Sequence, residues 1–316
     1  MKIKQMCMLV LLWLGVIPAM QAQTFDKLWK EVEQAEKKSL PQTVIKLTGE
    51  IYQKGEMEKN SPQMLKAYMW RMKYRDMLTP DSLYTGLQEL KQWAKQADKP
   101  MDRAILHSLI AGMYADYAAN NQWQLRQRTE IAGEAPSADM REWTANMFVE
   151  KVRTNVREAM ADSVLLLNTS SRTYIPFVEL GETSEYYHHD MYHLLASRSI
   201  EALQRIQGLD RTTPIEAYSE ETSSEKESLV KQDIERIYDQ MLTSYKAKGD
   251  KEGCLLTSLN YLNWKHGTSK SFREPFRVKK GGTYMTFDPY ETGLDALKTE
   301  YKSLDLCAEV YLAQAN

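Results

Sequence analysis

Apolar residues recur every three or four positions along most of this chain, and the clearest run lies at residues 104–128. There Ile105, Leu109, Met113 and Tyr117 form one row, and Leu106, Ile110 and Tyr114 lie one step round it. The stripe is wide enough for a buried helical face. Ala111, Gly112, Ala115, Ala118 and Ala119 sit among these residues, and small residues let a neighbouring helix approach closely. The pattern predicts one helix running into a polar turn.

Four earlier segments read the same way. Phe25, Leu28, Trp29 and Val32 mark a helix over 24–38, with Thr24 or Asp26 as its cap. Leu40-Pro41 breaks it, and Val44, Ile45, Leu47, Ile51 and Tyr52 mark a second helix. Asn60-Ser61-Pro62 opens a third, with Met64, Leu65, Tyr68, Met69 and Met72 turned inward. Leu83, Leu87, Leu90 and Trp93 define a fourth, closed before Pro100. Further on, helices are predicted over 140–160, 184–206, 227–248, 252–264 and 292–316, with a short helical turn near Pro176. The connections are short, which forces neighbouring helices to run antiparallel. A small residue followed three places on by an aromatic occurs at Ala67, Ala111, Ser258 and Ala308. The intervals do not match the 34-residue tetratricopeptide period. The expected fold is therefore all-α: an irregular antiparallel α-hairpin array, tetratricopeptide-like. Residues 267–291 depart from it. Gly281-Gly282 between two β-favouring runs predicts a small β-hairpin or, alternatively, an open loop.

Composition then divides the chain. Lys2 and Lys4 precede an apolar run at 6–17, too short for a membrane span, and Pro18-Ala19-Met20-Gln21-Ala22 offers small residues for cleavage. Residues 1–22 read as a signal peptide cut after Ala22, or after Ala19, so the mature chain is expected in the periplasm or cell envelope. Cys7 lies inside the apolar run and not after it, which argues against lipidation. A helical domain is expected over 23–209, a Ser/Thr/Glu-rich linker over 210–225, and a second helical segment over 226–316. The final helix is still periodic at its last residue, which suggests the front piece of a longer protein. A net charge of −2 gives no basic excess for nucleic acid, and no membrane span is expected in the mature chain.

Candidate chemistry is sparse. His189 and His193 are four apart in Tyr186-Tyr-His-His-Asp-Met-Tyr-His193 and would share one helix face, as two zinc ligands can. Glu182, Glu185 or Asp190 could add a carboxylate. No Glu follows His189 in a His-Glu-x-x-His pattern, so core or surface histidines are the competing reading. Lys270, Arg273, Arg277, Lys279 and Lys280 alternate with Phe272, Phe276 and Tyr284; a solvated hairpin or a partner-binding edge suits an exported chain better than nucleic acid. Cys254 and Cys307 could pair after export or remain buried thiols. No catalytic residue and no cofactor is assigned.

Three stretches carry a resemblance: Phe25-Asp-Lys-Leu-Trp-Lys-Glu-Val-Glu33 with Leu40-Pro-Gln-Thr-Val-Ile45, Gly112-Met-Tyr-Ala-Asp-Tyr-Ala-Ala-Asn-Asn-Gln-Trp123, and Glu134-Ala-Pro-Ser-Ala-Asp-Met-Arg-Glu-Trp143. Together they resemble the N-terminal helical region of the large α2-macroglobulin-like proteins of Bacteroidetes. The resemblance implies a helical region ahead of a string of β-sandwich domains, in proteins that trap or inhibit proteases in the cell envelope. Many carry a Cys-x-Glu-Gln thioester. Here Cys254 precedes Leu255-Leu256-Thr257 and Cys307 precedes Ala308-Glu309-Val310, so this piece would position or bind a protein partner and not inhibit by itself. A free-standing tetratricopeptide-like adaptor is the second reading, and a zinc-dependent enzyme at His189 and His193 the third.

Overall fold

The computed structural model describes residues 24–79, 82–128, 137, 139–187, 189–210, 228–269, 272, 275–280 and 283–315. The expected signal peptide, and residues 211–227 of the linker region, lie outside them. The described residues are all-α apart from one two-stranded sheet. The chain divides into two compact units, at Leu83 and Tyr84.

Among the described residues, the first unit holds three helices: α1 (Phe25–Lys37), α2 (Pro41–Met57) and α3 (Ser61–Leu78). Thr24 caps α1 by accepting from the Lys27 amide, and Asn60 caps α3 by accepting from the Gln63 amide. Leu28, Val32, Val44, Ile51 and Ala67 form the core. Met64, Met69 and Met72, expected inside, are only half-buried. The periodicity spreads right round α3, leaving no sharply apolar side. Gly55 of α2 lies close against α3: a Cβ there would sit 2.8 Å from Met64 Cγ. At the open side, Trp29 Nε1 donates to Gln63 Oε1 at 2.7 Å, while Trp70 Nε1 and Tyr74 O–H both donate to Glu36 Oε1.

The second unit takes in nearly all of α4 (Ser82–Gln96), then α5 (Pro100–Asn120), α6 (Gln122–Gln127), α7 (Ala145–Ala159), α8 (Ser163–Asn168), α9 (Met191–Ile206), α10 (Leu229–Lys248) and α11 (Lys251–Thr268). After these come strands β1 (Phe276–Lys280) and β2 (Thr283–Phe287), and helices α12 (Pro289–Glu300) and α13 (Ala308–Ala315). Helix α5 packs against both α7 and α9; from α9 the stacking runs through α10 and α11 to α12 and α13. Ile105, Leu106, Ile110, Ala111, Tyr114, Ala115 and Ala118 of α5 are buried. Tyr114 meets Trp143 and Phe148, and Tyr117 stacks on Phe148 at 5.3 Å.

Several predicted helices prove shorter or divided. The 104–128 stretch runs as helix to Asn120, as expected, and where a polar turn is expected the Asn121 side chain donates back to the Tyr117 carbonyl and a separate turn of helix, α6, follows. The 140–160 helix is a 3-10 turn at Met140–Glu142 followed by α7. Trp143 is extended between them because its indole donates to the Ser137 carbonyl and its own carbonyl accepts from Arg128. The 292–316 helix breaks after Glu300 and resumes only at Ala308. The hairpin forms: β1 and β2 are antiparallel, with Phe276 opposite Phe287 and Val278 opposite Met285.

One turn recurs. After α1, Leu40 N–H donates to the Ala35 carbonyl and Ser39 N–H to Glu36; after α2, Asn60 donates to Gly55 and Lys59 to Glu56; after α10, Asp250 donates to Tyr245 and Gly249 to Lys246. Each is a Schellman closure with a left-handed residue: Ser39 and Lys59 at φ 54°, Gly249 at φ 69°. Only the third uses glycine, so the first two carry strain of about 1 kcal/mol each. Lys59→Gly should therefore raise stability by about 0.5–1 kcal/mol, and Gly249→Ala should lower it by about 1 kcal/mol. Urea unfolding followed by circular dichroism reads both. Burial pushes the Tyr114 phenol up to about 12, whereas an unfolded tyrosine ionises near pH 10. Its contribution is whole below about pH 10 and is lost as pH rises toward 12. Tyr114→Phe should make the fall in urea midpoint between pH 9 and pH 11 shallower.

Candidate functional site

The histidine pair is not brought together as the sequence suggests. Helix α9 begins only at Met191, because the Asp190 carboxylate accepts from the His193 amide at 2.8 Å and so fixes the start there. His189 lies before that cap in extended backbone: its carbonyl accepts from Ser171 N–H, and Met191 N–H donates to the Thr169 carbonyl. The two histidines therefore do not occupy successive turns of one helix. His193 is engaged elsewhere. Its ring stacks on Tyr187 with centroids 4.2 Å apart, and its Nδ1 is hydrogen-bonded to the Tyr245 hydroxyl. Asp190 is buried and paired with Lys248 at 2.6 Å. Burial first, and then the Asp190 charge, push the Tyr245 phenol up, so it stays protonated beside His193. Among the described residues, no group of three or more His, Cys, Asp or Glu side chains could hold a metal ion.

The other candidates resolve differently. Cys254 and Cys307 are both buried and free, not bridged; burial pushes the Cys254 thiol up, away from the thiolate. Arg277 is exposed on β1, while Lys270 and Arg273 lie outside the described residues. Phe276, Val278 and Phe287 are exposed on one face of the hairpin. No described helix is long and apolar enough to cross a membrane.

What the sequence did not single out is a groove of about 720 Å³ on α9, α10 and α11 of the second unit. That volume falls in the roughly 300–1,000 Å³ range of small-ligand sites. Its floor is aromatic and aliphatic: Tyr238, Met241 and Trp264 are buried, with Ile200 beside them. Tyr261 stacks on Tyr238 at 4.7 Å and on Trp264 at 6.0 Å, which holds both rings in place. Its rim is polar. Gln204 and Gln207 come from α9 and the turn that follows it, Asn260 and Asn263 from α11. Residues three apart on a helix share a face, and that spacing was the available sequence signal.

Aromatic groups fix how these amides point. Trp264 Nε1 donates to Gln207 Oε1 at 3.0 Å, and Tyr290 O–H donates to Asn263 Oδ1 at 2.8 Å. Both amides are thus left presenting their NH2 groups. Gln204 is hydrogen-bonded to Tyr238 and Asn260 to Tyr187. Thr257, 2% exposed, also lines the groove, and its hydroxyl has no hydrogen-bond partner among the described residues. A buried hydroxyl without a partner costs about 1–3 kcal/mol relative to a satisfied one. The one carboxylate in the lining, Glu201, accepts from Arg205 at 2.6 Å.

Because His189 precedes the cap of α9, the whole chain, dialysed against micromolar zinc and then against metal-free buffer, should retain well below one zinc per chain by elemental analysis. Stoichiometric zinc lost on His193→Ala would overturn that expectation. Comparison with family models, with curated proteins and with solved structures finds no match to this chain.

Proposed function

We propose that this chain is a helical binding scaffold, exported to the periplasm or cell envelope, and that it positions a protein partner as the N-terminal part of an α2-macroglobulin-like protein. The observation that carries the binding role is the groove on α9, α10 and α11, where stacked aromatic rings hold a rim of carboxamides in fixed orientations. Such a site recognises by shape and hydrogen bonding and brings no activated nucleophile to a bound molecule. His193, the one titratable group among the described residues of the groove besides Glu201 and the tyrosines, is held between Tyr187 and Tyr245. The export and the family part of the proposal rest on the N-terminal charge and hydropathy pattern and on the three stretches quoted above.

A free-standing adaptor is the second reading, favoured by the same groove. Antibody raised against the chain separates the two in fractionated native cells. The proposal expects an envelope-associated species far larger than 36.6 kDa. An envelope species at or just below that mass supports the adaptor, and a cytoplasmic location overturns both.

A further inference from the structure

The geometry points to the groove on α9, α10 and α11 as a binding site for an uncharged, extended peptide segment, held through its backbone by the Gln207 and Asn263 amide groups and the Thr257 hydroxyl. This deepens the scaffold reading and rests on it.

Three observations select the ligand class. First, among the described residues the groove offers little net charge: Glu201 is the one carboxylate in its lining, already paired with Arg205, and no lysine or arginine of those residues lines it. Phosphate, sulfate and other strongly anionic groups find no counter-charge among those residues. Second, the rim is built from carboxamides, which carry a donor and an acceptor on the same planar group. A peptide unit carries the same pair. The Trp264 and Tyr290 bonds to the Gln207 and Asn263 oxygens leave NH2 groups for ligand carbonyls. Because Gln207 follows α9 and Asn263 belongs to α11, they approach a ligand from different elements. Third, the aromatic rings do not offer a free platform for a sugar ring. Tyr238 and Trp264 are 6% and 7% exposed and packed against Tyr261, and one face of Tyr187 is covered by His193. A saccharide site would need an open aromatic face, which an extended backbone does not.

Thr257 supplies the independent mark of an occupant. The residue lines the groove, and its hydroxyl, almost wholly removed from solvent, makes no hydrogen bond among the described residues. Buried polar groups in native proteins are nearly always satisfied, and a ligand carbonyl or amide in the groove would satisfy this one. Backbone recognition makes the site tolerant of sequence, with side-chain preference set by Ile200 and Met241 on the floor.

The test uses the whole ¹⁵N-labelled chain and the Trp264 indole N–H resonance, assigned with Trp264→Phe. The probe is an equimolar mixture of acetylated, amidated hexapeptides of random uncharged sequence, compared with maltotetraose and chitotetraose. The expected result is a saturable peptide-induced shift that the tetrasaccharides do not produce. Asn260→Ala with Asn263→Ala, both exposed positions, should weaken it at least tenfold with the circular dichroism spectrum unchanged. Thr257→Val should weaken it at least threefold without lowering the thermal midpoint, because the hydroxyl it removes has no partner among the described residues. Saturation by a tetrasaccharide alone, no saturable shift with either probe, or affinity unchanged in the variants would overturn the inference. The native size and location of the protein test the scaffold reading separately, so either can fail without the other.

Discussion

The second unit depends on the burial of α5. Its buried residues are not confined to one row: Ile105, Ala111, Tyr114, Ala115 and Ala118 are each at most 1% exposed, and α7 and α9 both pack against it. Each large side chain removed from water contributes on the order of 1.5–3 kcal/mol. The alanines contribute less by transfer than by letting backbones approach. A helix buried on more than one side cannot slide without exposing something, so the elements around it inherit its register.

Buried polar contacts make that register specific. Tyr174 donates to Asp102 of α5 at 2.7 Å in a buried setting, and His107 of α5 meets Asn155 of α7 at 2.8 Å. Asp233 of α10 accepts from Arg153 of α7 at 2.6 Å and from Arg236 of its own helix at 3.0 Å. Removing one partner from such a buried pair costs more than the pair contributes, because the other is left unsatisfied. These contacts discriminate among packings that the apolar stripes alone would tolerate. The groove is a consequence of the same arrangement. Tyr238, Tyr261 and Trp264 pack between α10 and α11, and the Gln207 and Asn263 carboxamides above them are oriented by aromatic donors.

Much of the first unit was legible residue by residue. Thr24 and Asn60 cap where their side chains suggest, and Leu28, Val32, Val44 and Ile51 are buried where the period places them. The hairpin was legible because paired glycines between β-branched and aromatic runs favour one local geometry. The candidate site was not. A helical reading of 184–206 ignored Asp190, whose carboxylate can cap a helix only if the chain before it is held extended. That hold comes from Ser171 and Thr169, about twenty residues upstream, a partnership no local pattern encodes. The four-residue spacing of His189 and His193 was real; the helix that would have given it meaning was not there.

The sequence by itself determined the class of fold, the positions of most helices and the shortness of the turns between them, because period, caps and prolines act within a few residues of one another. Only the tertiary structure decided where helices break, as at Trp143 and Tyr301, and that α5 packs against α7 and α9. It alone decided that Thr257, Gln207 and Asn263 line one groove. Those outcomes turn on contacts between residues far apart in the chain, whose energies exist only once the helices have met.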